Sequence, residues 1–190
     1  MIRAALTFFA ILLAGCSSQP MEPNYYLLRS DSDLSTRALQ PATDYALGKV
    51  TIAPYIDQRG LLMETADGDL RAARLNLWAE PVYEGVRLYL LKEISAKSGA
   101  DLLPAAADTS MGRINVRIDQ LHGTNNGHAR LVAYWWLERE GKVVAAYQFA
   151  EEEVLAADGY TALAAAQEEL LSHLSQQIAD SLVATRSAAE

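Results

Sequence analysis

Residues 113–149 constrain the fold of this chain more than any other stretch. Ile114, Val116 and Ile118 alternate with Arg113, Asn115, Arg117 and Asp119. A period of two puts the aliphatic residues on one face of a strand and the polar ones on the other. Asn125-Asn126-Gly127 follows as a turn, because Asn and Gly tolerate the backbone that tight turns need. Residues 131–137 return as a second strand, Glu140-Gly141 turns the chain again, and residues 143–149 run as a third. A meander of this kind has one apolar face, and that face requires a covering layer.

Two helical segments supply the layer. Glu80-Pro81 opens the first, with Pro early in the helix, where its missing N–H costs little. Val82, Val86, Tyr89, Leu90 and Ile94 make one apolar face, Arg87, Lys92, Glu93 and Lys97 the wet side, and Gly99 a C-cap. In the second, Asp158 caps, Thr161 lies in the first turn, and Tyr160, Leu163, Leu170, Leu171, Leu174, Ile178 and Leu182 form the stripe. Its many alanines favour a helix.

Upstream, Tyr25-Tyr26-Leu27-Leu28 reads as a strand, as do residues 47–52, which end before Pro54. Residues 60–64 and 70–75 flank Ala66-Asp67-Gly68, a hairpin signal. Residues 30–44 read as a surface loop pinned by Leu34 and Leu39. The expected fold is α+β: a mostly antiparallel β-sheet with two helices packed on one face, in the order β-β-β-β-α-β-β-β-α.

Cys16 is the sole cysteine, so no disulfide forms within the chain and stability comes from packing. It ends Leu13-Ala14-Gly15-Cys16, preceded by Arg3 and the apolar residues 4–12. That run suits translocation but is too short to span roughly 30 Å of hydrocarbon. The pattern resembles the lipobox of a bacterial lipoprotein signal peptide. The resemblance implies that the Cys16 thiol takes a diacylglyceryl group and that the Gly15–Cys16 bond is cut. The alternatives are an ordinary secretory signal with an incidental cysteine, or a small buried one. The expected organisation is a signal peptide at 1–15, a lipidated N-terminus and tether at 16–24, one domain at 25–185 and a frayed tail at 186–190. Ser17, where Asp would be an inner-membrane retention signal, points to the outer membrane.

A net charge of −8 argues against a nucleic-acid partner and against a polybasic lipid contact. Catalytic constellations are scarce. His122 and His128 flank the Asn-Asn-Gly turn and would sit diagonally across a hairpin, but a metal site needs three or four ligands. Surface histidines are the simpler reading, and His173 reads as a boundary residue of the last helix. Glu151-Glu152-Glu153 is either a cluster of raised-pKa carboxyls or a solvated strand end and edge guard. No phosphate-binding glycine loop, Gly-x-Ser-x-Gly elbow or His-Glu-x-x-His run occurs. The expected site therefore holds no catalytic residue, metal or cofactor.

If Leu131, Ala133, Trp135 and Leu137 face the helices, Val132, Tyr134 and Trp136 face the other way, beside Val144 and Ala146. That second face is a partner surface, a lipid-contacting surface, or is covered by residues 30–44. Trp78 reads as a core aromatic wedged between helix and sheet.

Four segments in order carry a wider likeness. They are Asn24-Tyr25-Tyr26-Leu27-Leu28, the run from Val50-Thr51-Ile52-Ala53-Pro54 to Arg59-Gly60-Leu61, Asn76-Leu77-Trp78-Ala79-Glu80-Pro81, and Asp158-Gly159-Tyr160 with Gln177-Ile178-Ala179. Together, after the lipobox, they resemble the ABC-type transport auxiliary lipoproteins of the PqiC/YmbA type. The resemblance implies a non-enzymatic lipoprotein anchored in the outer membrane and facing the periplasm. It implies work with an MCE-type protein that bridges the periplasm and with its inner-membrane component, in lipid transport or envelope integrity. A homo-oligomeric ring follows only by analogy. The alternatives are a periplasmic lipid-binding carrier or chaperone, which needs a cavity, and a periplasmic hydrolase.

Overall fold

The computed structural model describes residues 21–30, 38–42, 44–102 and 111–187. The expected signal peptide and Cys16 lie outside the described residues, as do Leu34 and residues 188–190 of the tail. The elements are β1 (Asn24–Tyr26), β2 (Tyr45–Ile52), β3 (Gly60–Glu64), β4 (Leu70–Trp78), α1 (Val82–Ser98), β5 (Gly112–Gly123), β6 (His128–Arg139), β7 (Lys142–Val154) and α2 (Tyr160–Ser187). Their order is the expected one.

The long alternation folds as its period dictates. β5, β6 and β7 form an antiparallel meander, with Ile114 opposite Leu137, Val116 opposite Trp135 and Trp135 opposite Tyr147. Its first turn is closed by Thr124, whose N–H donates to the His128 carbonyl at 2.7 Å, with Gly127 at φ 80°. The second turn places Glu140 at φ 50° and Gly141 at φ 71°, the left-handed pair of a type I′ hairpin. The β3–β4 hairpin also forms, and Gly68 takes φ 84° at its tip.

The sheet is seven-stranded and mixed, which corrects the mostly antiparallel expectation. Its order is β1-β4-β3-β5-β6-β7, with β2 paired to β5 beside that path. Parallel ladders join β1 to β4, β2 to β5, and β3 to β5 at Met63–Gly123. The reason is topological. β2 and β5 are joined by a long crossover through β3, β4 and α1, and a crossover returns the chain parallel to its start. Periodicity identifies strands but not distant partners.

Both helices cover the sheet face that carries Leu47, Ile114, Val116, Leu131, Trp135 and Leu137, all buried in one core. The expected stripe of α1 is buried throughout, and so are Leu163, Leu170, Leu171, Leu174, Ile178 and Leu182 of α2. Trp78 joins that core at 6 % exposure, as a wedge between β4 and α1 should. Gly99 caps α1 in the left-handed conformation at φ 74°, its N–H donating to the Ser95 carbonyl. Pro81 stands at the capping position, just ahead of the first helical residue. In α2 the first bond runs from the Leu163 N–H to the Gly159 carbonyl at 3.1 Å. Gly159, one residue after the expected Asp158, therefore occupies the cap position.

Candidate contact face

Strand alternation sets the two faces of the meander. On β6, Ala129, Leu131, Ala133, Trp135 and Leu137 are buried beneath the helices. Val132 and Trp136 are half-buried on the other face, and Tyr134 is 37 % exposed there. Ladder partners share a face. Val132 is opposite Ala150, Tyr134 opposite Gln148 and Trp136 opposite Ala146 on β7. Arg117 and Asn115 of β5 stand opposite Tyr134 and Trp136. A run of apolar and aromatic side chains thus crosses the centre of the outer face.

Ion pairs bound it. Arg117 Nε meets Asp119 Oδ1 at 2.6 Å, and Arg130 holds Glu152 at 2.7 Å through Nε. Asn115 is buried and serves structure: its Oδ1 accepts the Lys49 N–H at 2.9 Å, and its Nδ2 donates to Glu138 Oε2 at 3.2 Å. An apolar centre with a charged, paired rim is the layout of a protein contact surface.

The described ends of the 30–44 segment lead away from this face. Ser30 Oγ donates to Glu93 of α1, while Gln40 and Ala42 bond to Asp101, just after α1. Both anchor points lie on the helix side. Leu39, expected to pin the loop, is exposed at 59 %.

The candidate chemical groups are all tied into structure. His122 is buried and its Nδ1 donates to the Gly123 carbonyl at 3.1 Å; His128 Nδ1 donates to the Asn126 carbonyl at the same distance. Among the described residues, no group of three or more His, Cys, Asp or Glu is placed to hold a metal ion. The glutamate run is divided by the pleat. Glu151 faces α2, where it meets His173 Nδ1 at 3.3 Å and accepts from Gln177 Nε2 at 3.0 Å, while Glu152 pairs with Arg130 on the outer face. His173 also contacts Glu169 at 3.2 Å through Nε2. The run is thus a clasp between β7 and α2 as well as a strand end, and sequence spacing gave no sign of this link.

Trp135 stacks on Tyr147 with ring centroids 4.8 Å apart, and its Nε1 donates to Ser181 Oγ at 3.2 Å. Beside them an open groove of about 390 Å³ runs between β7 and α2, lined by Trp135, Tyr147, Gln177 and Asp180. A second open depression, about 300 Å³, lies between Arg59 and Glu80. Between α1 and α2, Tyr89 is buried and its hydroxyl donates to the Glu168 carbonyl at 3.2 Å. Burial, with Glu93 and Glu168 nearby, pushes the Tyr89 phenol well above its ordinary value. Among the described residues, no helix is long and apolar enough to cross a membrane.

These features define an α+β domain that covers one sheet face with helices and presents a partly apolar face on the other side. Residues 25–179 match the model of the ABC-type transport auxiliary lipoprotein component family, and the chain belongs to that family. It is 29% identical over 161 residues to the intermembrane transport lipoprotein PqiC of Escherichia coli K12, covering 82% of this chain and 83% of that protein. The PqiC of Shigella flexneri is similar to the same extent, 29% over 161 residues. A solved structure of an uncharacterized protein shares the fold with a TM-score of 0.73 at 21% identity, covering 85% of this chain and 99% of the other. A protein from Xanthomonas campestris does so with a TM-score of 0.67 at 15% identity, over 87% and 99% of the two chains.

Proposed function

We propose that this chain is a non-enzymatic auxiliary subunit of an intermembrane lipid-transport system. In this reading Cys16 is acylated and holds the domain at the outer membrane, facing the periplasm. The domain then docks onto an MCE-type protein that bridges to an inner-membrane component. The family match over residues 25–179 carries the reading. The similarity to a lipoprotein named for intermembrane transport supports it.

Val132, Tyr134 and Trp136 are the proposed contact face. Support comes from their placement: an apolar row with a paired ionic rim, turned away from both helices. Docking has more support than lipid carriage. Among the described residues, the grooves at Trp135–Tyr147 and at Arg59–Glu80 are open to solvent, whereas a carrier encloses most of its ligand.

A photo-crosslinking amino acid at position 134 of the full-length protein, expressed in its own envelope, tests the docking step. The expected product is an adduct with the MCE-type protein, identified by mass spectrometry. Adducts from position 183 on α2 but none from position 134 would reject this face. Cys16→Ser tests the anchor separately. It should release the protein into the periplasm or leave an uncleaved precursor; a processed, detergent-dependent membrane species would reject lipidation at Cys16.

A further inference from the structure

The β1 edge of the sheet carries exposed apolar side chains next to the point where the tether joins the domain. Met21 is 78 % exposed, Tyr25 55 % and Leu27 47 %. The alternation of the strand explains why. Tyr26 points inward and donates its hydroxyl to Asn76 Oδ1 at 3.0 Å, and Leu28 is buried in the core. Tyr25 and Leu27 then point outward, and the register sets Tyr25 beside Leu77 on the same side.

Arg59, placed over the Tyr25 ring, is the group here that suits an interfacial neighbour. The Arg59 guanidinium lies 5.9 Å from the centre of the Tyr25 ring. Glu80, the nearby acid, is already engaged by Arg29 through two bonds, Nη1 to Oε1 at 2.6 Å and Nη2 to Oε2 at 3.3 Å. Asp57, which lines the same depression as Arg59 and Glu80, and exposed Glu22, beside Met21, are the acids that oppose this arrangement. A tyrosine and aliphatic side chains flanked by arginine match the polar–apolar boundary of a bilayer, where amphipathic rings sit at headgroup level.

The point of attachment names the occupant, because the tether joins the domain at the β1 edge. Cys16 precedes Asn24 by eight residues (24 − 16), which fully extended reach about 29 Å. The β1 edge therefore cannot travel far from lipids that hold Cys16, while the β7 edge lies across the sheet at the far end of the strand order. With five strand intervals between β1 and β7, that separation is about 24 Å, within the reach of the tether, so the exposed side chains of the β1 edge, and not tether length, decide which edge is seated.

We infer that the β1 edge, through Tyr25, Leu27 and Arg59, rests on the lipid surface in which acylated Cys16 is held. This orients the domain on the membrane and directs the β7 end away from it. The inference rests on the lipidation of Cys16 proposed above.

The test uses the full-length acylated protein in vesicles of phosphatidylethanolamine and phosphatidylglycerol containing headgroup-region spin-labelled lipid. Acylation of Cys16 leaves its thiol blocked, so Leu27→Cys can carry a fluorophore alone; Val143→Cys on the β7 edge is the comparison. Intact mass first reports the acyl group. The expected result is quenching at position 27 at least threefold stronger than at position 143. Adding Tyr25→Ser and Arg59→Gln to the position-27 reporter should reduce its quenching at least twofold. An acylated protein quenched equally at both positions, or at neither, overturns the seated edge but leaves the anchor intact. A protein lacking the acyl group overturns the anchor and the inference together. A crosslinker at position 25 that captures a protein in place of lipid also overturns it.

Discussion

The side-chain carbonyl of Asn115 accepts the Lys49 backbone N–H at 2.9 Å, joining strands that are parallel neighbours but far apart in sequence. The ladder between β2 and β5 shifts register between Leu47 and Val50, and Asn115 bonds within that irregularity. A bulge leaves an N–H without a ladder partner. Gly48 makes the approach possible, since a Cβ there would lie 2.6 Å from Asn115 Oδ1. Asn115→Leu should destabilise the domain by about 1 kcal/mol, because it removes the bond to the partly buried Lys49 N–H. Gly48→Ala should also destabilise, and less so in an Asn115→Ala background, where the clash is gone. A double-mutant cycle by urea denaturation measures that coupling. Strict additivity would show that the two positions act independently.

Glu140 occupies φ 50° at the first position of the β6–β7 turn. A side chain of its type pays roughly 1 kcal/mol to adopt the left-handed conformation, and asparagine pays less. Glu140→Asn should therefore raise stability by about 0.5 kcal/mol and lift the melting temperature. An unchanged or lowered melting temperature would mean that Glu140 makes a compensating contact in solution.

Tyr89 bridges the two helices through its hydroxyl to the Glu168 carbonyl. Tyr89→Phe should cost about 1 kcal/mol, the usual net value of such a bond. The pH dependence has a definite sign. Burial raises the folded-state pKa of Tyr89 above the ordinary tyrosine value of 10.0. The contribution is then complete below the unfolded pKa. It declines as pH rises through the window between the unfolded and folded values. Denaturation curves at neutral pH and above pH 10 should show wild type losing more stability than Tyr89→Phe over that interval. Parallel losses would exclude Tyr89 as the source.

The meander and both helix stripes were legible in the sequence because each is a local pattern. Ile114, Val116 and Ile118 declare their face by alternation, and Val82, Val86 and Leu90 by helical spacing. Pairings made across long crossovers were not legible. Nothing near Tyr45–Ile52 announces that it lies parallel to β5, and nothing near Tyr25 announces β4 as its partner. The candidate face was legible in outline, since the period of β6 places Val132, Tyr134 and Trp136 together. Its rim was not: Arg130–Glu152 depends on the β6–β7 register, and the Glu151–His173–Gln177 clasp depends on where α2 crosses β7. Asn115 was visible only as one polar residue of an alternation. Its bonds to Lys49 and Glu138 required the fold.

Tyr134 offers the most direct separation of docking from folding. It is 37 % exposed and stands opposite Arg117 on β5 and Gln148 on β7. Tyr134→Glu puts a carboxylate beside Arg117, so the isolated domain should change in stability by no more than about 1 kcal/mol. At a docking face the same change buries a charge against the partner. Aromatic anchors at such positions contribute 2 kcal/mol or more, corresponding to roughly thirty-fold in affinity. Tyr134→Glu should accordingly leave the melting temperature of the purified protein near that of wild type. It should also weaken binding to the proposed MCE-type partner by that factor and fail to restore envelope integrity in cells lacking the native copy. Tyr134→Phe keeps the ring and should behave as wild type in all three measurements. A folded Tyr134→Glu protein that binds and complements normally would remove Val132, Tyr134 and Trp136 as the docking surface.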